Sequence, residues 1–167
     1  FPSMPTFFSA LKRIFLTAWL IVLVCPSLGL AATENWTIKN FQSTLTIHAD
    51  SSLSVVETIQ ADFSREKHHG IFRLIPLNYI DENNVESSME VRVDYVRDAK
   101  GKPWNYEESD EGNYLNIKIG SSSRFLTSLE TFTIGYTVKG ALGYFEDHDE
   151  LYWNVTSDKS PVPIEKA

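Results

Sequence analysis

The chain has 167 residues, 22 acidic against 15 basic side chains and a formal net charge of −7, with a single cysteine, Cys25. Its length suffices for one domain with its own core, and the acid excess argues against nucleic acid as a partner. Beyond residue 25 no thiol remains, which excludes a disulfide, a Cys-ligated zinc or iron–sulfur site and a cysteine nucleophile there.

The first feature in chain order is an address. Lys12-Arg13, an apolar run from Ile14 to Cys25 and the exit Pro26-Ser27-Leu28-Gly29-Leu30-Ala31-Ala32 have the tripartite layout of a secretory signal peptide. Small residues at Gly29 and Ala31 suit cleavage after Ala31, giving a signal segment over 1–31 and an extracytoplasmic domain over 32–167. Val24 before Cys25 does not suit a lipoprotein signal. This twelve-residue stretch falls short of the ~20 that span a bilayer as a helix, and an uncleaved anchor continuing through Pro26 is the alternative. Phe1-Pro2-Ser3 reads as translation upstream of a start at Met4. Loss of Lys12 and Arg13 leaves 13 bases against 22 acids, a net −9.

From Trp36 onward the apolar period is two, the spacing of half-buried strands. Leu45 and Ile47 alternate with Thr44, Thr46 and His48, and Asp50-Ser51-Ser52 supplies a hairpin turn. Leu53, Val55, Ile59, Ala61 and Phe63 share one face of the next strand. The pattern repeats in Met89, Val91, Val93 and Tyr95; in Leu115, Ile117 and Ile119; in Phe132, Ile134, Tyr136 and Val138; and in Leu151, Trp153 and Val155. Asp81 to Ser88 and Glu107 to Gly112 read as acidic surface loops. One or two helical turns are expected at most, near Ser123 to Leu129 and Asp147 to Asp149. Ser160 to Ile164 begins another extended segment, so the carboxyl end reads as cut short. The expected class is all-β, an antiparallel β-sandwich with an immunoglobulin-like arrangement among the candidates, preceded by a signal helix.

Glu57 is the side chain most in need of explanation, since its parity sets it on the apolar face with Val55 and Ile59. A buried, unpaired carboxylate costs several kcal/mol, so a partner is required. Arg73, the sole base in the apolar run Ile71 to Pro76, is the expected one. The structural reading is an ion pair at the edge of the core; the functional reading is a carboxylate oriented in a ligand cleft. His68, His69 and His148, with Asp147, Asp149 and Glu150, are metal-compatible by residue type. Adjacent histidines on an extended chain point opposite ways, however, so no metal or cofactor is expected.

Glycoside hydrolysis needs two facing carboxylates about 5 to 10 Å apart. Glu146, Asp147, Asp149 and Glu150 could contribute one, but any chain this acidic offers such pairs. No serine sits in a nucleophile elbow, and Gly140-Ala141-Leu142-Gly143 reads as a turn. Aromatics are the better functional hint. Trp104, Tyr106 and Tyr152 are candidate binding residues for sugar rings or protein partners, against the plainer reading that most rings fill the core.

Three ordered stretches carry a resemblance: Ser54-Val55-Val56-Glu57-Thr58-Ile59 with Phe63; His69-Gly70-Ile71-Phe72-Arg73-Leu74-Ile75-Pro76; and Asp149-Glu150-Leu151-Tyr152-Trp153-Asn154-Val155-Thr156. Together with Tyr136-Thr137-Val138-Lys139-Gly140 they resemble the extracytoplasmic amino-terminal domain of the YciQ-like predicted membrane proteins, a bacterial family of unknown function. The motif residues matched are Glu57, Gly70, Phe72, Arg73, Pro76, Asp149, Trp153 and Asn154. Ser157 and Ser160 stand where the family usually has a Gly and then a Trp. The resemblance implies a domain held at the outer face of a cell membrane by a downstream anchor, and implies no activity. The sequons at Asn35 and Asn154 are silent in a bacterial setting.

These readings favour a noncatalytic exported β-domain that recognises a cell-surface glycan or protein, or stabilises a surface assembly. It would be tied to the membrane by its signal segment or a downstream helix. The alternatives are a cell-envelope hydrolase using the acidic loop around His148 and a structural spacer.

Overall fold

A computed structural model describes residues 34–80, 85–156, 160 and 162–167; the expected signal segment lies outside them. The described residues form eleven strands: β1 (Thr37–Ile47), β2 (Leu53–Asp62), β3 (Gly70–Pro76), β4 (Asn78–Ile80), β5 (Glu86–Ser88), β6 (Glu90–Arg97), β7 (Tyr106–Glu111), β8 (Tyr114–Gly120), β9 (Leu129–Lys139), β10 (Leu142–Tyr144) and β11 (Asp149–Leu151). They are arranged as a four-stranded sheet β1-β2-β9-β6, a three-stranded sheet β3-β8-β7 and the two ribbons β4-β5 and β10-β11. Every pairing between these strands is antiparallel. No helix among the described residues is long and apolar enough to cross a membrane.

Hairpin chemistry sets the first register. Ser51 takes a positive φ of 67°, and the Asp50 carboxylate accepts from the Ser52 amide at 3.1 Å and its hydroxyl at 2.6 Å. These bonds hold Asp50 below the usual carboxylate range and turn the chain so that Ile47 meets Leu53. Strict alternation then buries Leu53, Val55, Glu57, Ile59 and Ala61 on β2. Phe132, Ile134, Tyr136 and Val138 do the same on β9. Ile71 and Ile75 of β3 and Leu115, Ile117 and Ile119 of β8 complete one apolar cluster to which both large sheets contribute. Each fully buried large side chain in it is worth roughly 1.5–3 kcal/mol.

Four sequence expectations need correction. The alternation through Met89, Val91, Val93 and Tyr95 breaks at a bulge, because Val93 pairs with Tyr136 and Tyr95 with Gly135, leaving Asp94 extra. Val96 therefore takes the buried place, while the Tyr95 ring lies over Gly135, where a methyl group would collide with it. Asp94 is anchored on its own face by Arg92 at 3.0 Å and the Thr137 hydroxyl at 2.8 Å.

Glu107 to Glu111 belong to an edge strand, β7, and Glu86 to Ser88 to the short strand β5, rather than to loops. Pairing with β8 supplies the backbone order that the acidic sequence conceals, and the exposed charges disfavour pairing with another chain on the open side. The last expected strand stops at Leu151, with Trp153 and Val155 beyond it in irregular chain. Residues 123–129 and 147–149 contain no helical turn; the first region is held instead by a bridge between Leu126 and His68. The extended segment near Ile164 lies parallel to β1: the Ile38 amide donates to the Pro163 carbonyl and the Glu165 amide to the Ile38 carbonyl.

Candidate functional site

The register Glu57↔Ile134 turns Glu57 into the core, and the inward parity of Ile71 and Ile75 turns Arg73 toward it. The carboxylate is 0% exposed and the guanidinium 4%. Arg73 donates from Nε to Glu57 Oε2 at 2.7 Å and from Nη2 to Oε1 at 2.6 Å, a bidentate fork. Tyr136 donates its hydroxyl to Oε1 at 2.7 Å. The remaining guanidinium donors reach the Leu74 carbonyl at 2.8 Å and the Val155 carbonyl at 3.2 Å. The Phe41 ring lies 5.6 Å from the guanidinium carbon.

One cluster thus ties β2, β3, β9 and the chain after β11 together. Burial by itself would lower the Arg73 pKa, but the hydrogen bonds and charge of Glu57 outweigh it and hold Arg73 above its ordinary value. Burial first, and then the Glu57 charge, push the Tyr136 hydroxyl far above the usual phenol range, so it remains a donor at neutral pH. Glu57 is in contact with no solvent and is answered by an opposite charge and a phenol. Nothing in the sequence pairs Tyr136 with Glu57, although an inward tyrosine on β9 demands an acceptor for its hydroxyl.

The candidate binding residues fall into separate clefts. Trp104 and Tyr106 line a cleft of about 860 Å³ together with Phe72, which is 66% exposed. Trp104 is anchored: it stacks on Phe132 at 4.9 Å and donates from Nε1 to the Thr131 carbonyl at 3.1 Å. Tyr152 lines a different cleft, of about 310 Å³, with Pro76, Tyr79, Trp153 and Asn154. Tyr152 and Tyr79 stack at 5.5 Å with an interplanar angle of 20°. Tyr79 carried no signal of its own, since its place in the short strand β4 is set only by pairing with β5.

Other matched residues have structural settings. Gly70 pairs with Gly120, and a side chain at either would strike the opposing backbone. Asp149 is exposed on β11, opposite Tyr144. The histidines do not converge. His68 packs beside Trp36 and Phe63, at 5.6 and 5.5 Å. His69 faces the carbonyls of Ser121 and Arg124 and stacks on Phe125 at 4.1 Å. His148 meets Asp147 at 2.7 Å and stacks on Phe145 at 4.9 Å. Among the described residues no group of three or more His, Cys, Asp or Glu is placed to hold a metal ion.

Residues 37–167 match the family described as the predicted membrane protein (DUF2207) N-terminal domain, and the chain belongs to that family. It is also similar to uncharacterized protein YciQ of Escherichia coli (strain K12), with 27% identity over 133 residues. That match takes in 78% of this chain and 21% of YciQ, so the chain spans about a fifth of that relative's length. Among solved structures, native yeast LTA4 hydrolase shares 15% identity over 61% of this chain and 14% of its own, with a TM-score of 0.44. A likeness at that level carries no inference about fold or activity.

Proposed function

We propose that this is a noncatalytic recognition domain of a larger membrane protein, a β-sandwich displayed on the extracytoplasmic face that holds a glycan or protein partner at the cell surface. The two large sheets, β1-β2-β9-β6 and β3-β8-β7, are its two layers. The observation that carries the reading is the distribution of polar groups. Glu57, the carboxylate best placed by the sequence for chemistry, is closed off from solvent and bound by Arg73 and Tyr136. Aromatic side chains meanwhile line the open clefts. Membership in a family of predicted membrane proteins supports tethering, and the leader pattern over 1–31 supports export.

The test is co-sedimentation of the 167-residue chain with purified bacterial envelopes, alongside a turnover screen on envelope glycans and peptides with divalent metals added. Saturable sedimentation without turnover is expected. Turnover, or no sedimentation above a control protein of equal charge carrying the same residues 1–31, would overturn the reading.

A further inference from the structure

The Tyr152 cleft has the chemistry of a saccharide site, and we infer that it binds a neutral sugar chain; this rests on the recognition reading above and names its ligand class. A pyranose presents an apolar C–H face with partial positive charge and a rim of hydroxyls. The negative face of an aromatic ring complements the former, and side-chain amides, which both donate and accept, complement the latter.

Both halves are present together. Tyr152 is 55% exposed although it stacks with Tyr79, so the inner ring stiffens the outer one and leaves a platform in the open. Asn113 and Asn154 line the same cleft. Trp153, half-buried, also lines it, and its indole reports on occupancy of the cleft.

Size and charge narrow the class. About 310 Å³ lies at the lower end of ligand sites, which run about 300–1,000 Å³, and suits about one or two rings of a chain that extends beyond the cleft. Glu86 lines the cleft in a protein of net charge −7, and both disfavour polyanionic chains such as phosphate-linked polymers. Neutral hexose or N-acetylhexosamine oligomers remain.

The probes are chitotriose and maltotriose, titrated into the 167-residue chain by calorimetry while the indole N–H resonances are followed by NMR. Saturable binding of at least one is expected, with a shift of the Trp153 Nε1–H signal. Tyr152→Ala should weaken it about tenfold at unchanged melting temperature, and Ile47→Ala, at an exposed position outside the cleft, should leave the affinity unaltered. Asn154→Ala, also at an exposed position, gives a second reading of the same cleft and should weaken binding as well. No saturable binding up to about 10 mM sugar, or binding indifferent to both Tyr152→Ala and Asn154→Ala, would overturn the inference. Envelope sedimentation that persists without sugar binding would sink this site alone and leave the recognition reading standing, whereas loss of both in the unaltered chain would sink the two together.

Discussion

The Glu57–Arg73–Tyr136 cluster and the Tyr152 cleft draw on similar residue types and arrive at opposite states. In the first, carboxylate, guanidinium and phenol bind one another out of water. In the second, stacked tyrosines and asparagines line an open cleft. The difference is one of location. Groups trapped among β2, β3 and β9 must find partners within the fold or destabilise it, whereas groups at the end of short strands and in irregular chain keep solvent as a partner and can exchange it for a ligand. A polar motif in this chain is therefore no guide to chemistry until its burial is known.

The comparison breaks most visibly at Arg73. Arg73→Met leaves the Glu57 carboxylate buried without a counter-charge and should cost about 3–5 kcal/mol by urea unfolding. A loss below about 1 kcal/mol would mean that the cluster is as dispensable as a surface pair. Glu57→Gln, which strands the guanidinium instead, should destabilise in the same direction.

Tyr136→Phe removes one donor to a charged acceptor and should cost about 1.5–3 kcal/mol. It should also flatten the alkaline response. Because the folded pKa of Tyr136 is raised above the ordinary phenol value of about 10, its contribution is complete below pH 10. As pH climbs past 10 the unfolded chain loses the proton first, and stability falls by up to about 1.4 kcal/mol per pH unit. Urea midpoints at pH 9 and pH 11 should therefore separate more in the unaltered chain than in Tyr136→Phe; equal separations would count against a buried, proton-retaining hydroxyl.

The smallest effect belongs to a pair with the same charges in water. Lys118 and Glu107 meet at 3.4 Å on exposed parts of β8 and β7, and Lys118→Ala should change stability by no more than about 0.5 kcal/mol. A larger loss would show that the outer face of that sheet is more than a solvated surface.

Much of the architecture was legible because the apolar period of a strand is local: β2, β8 and β9 follow from alternation alone, and the Asp50-Ser51-Ser52 turn from its side chains. The same alternation misleads at Asp94, because a bulge is decided by the pairing of β6 with β9, and acidic composition misleads at β7, whose residues become a strand only by lying beside β8. The sequence by itself determined the strand-rich class, the inward parity of Glu57 and the family resemblance. Tertiary structure alone decided that Tyr136 joins Glu57 and Arg73, that Trp104 and Tyr152 line different clefts, and that Tyr79 underlies Tyr152. Periodicity is written in neighbouring residues, whereas each of these contacts joins segments whose separation along the chain carries no record of the register that brings them together.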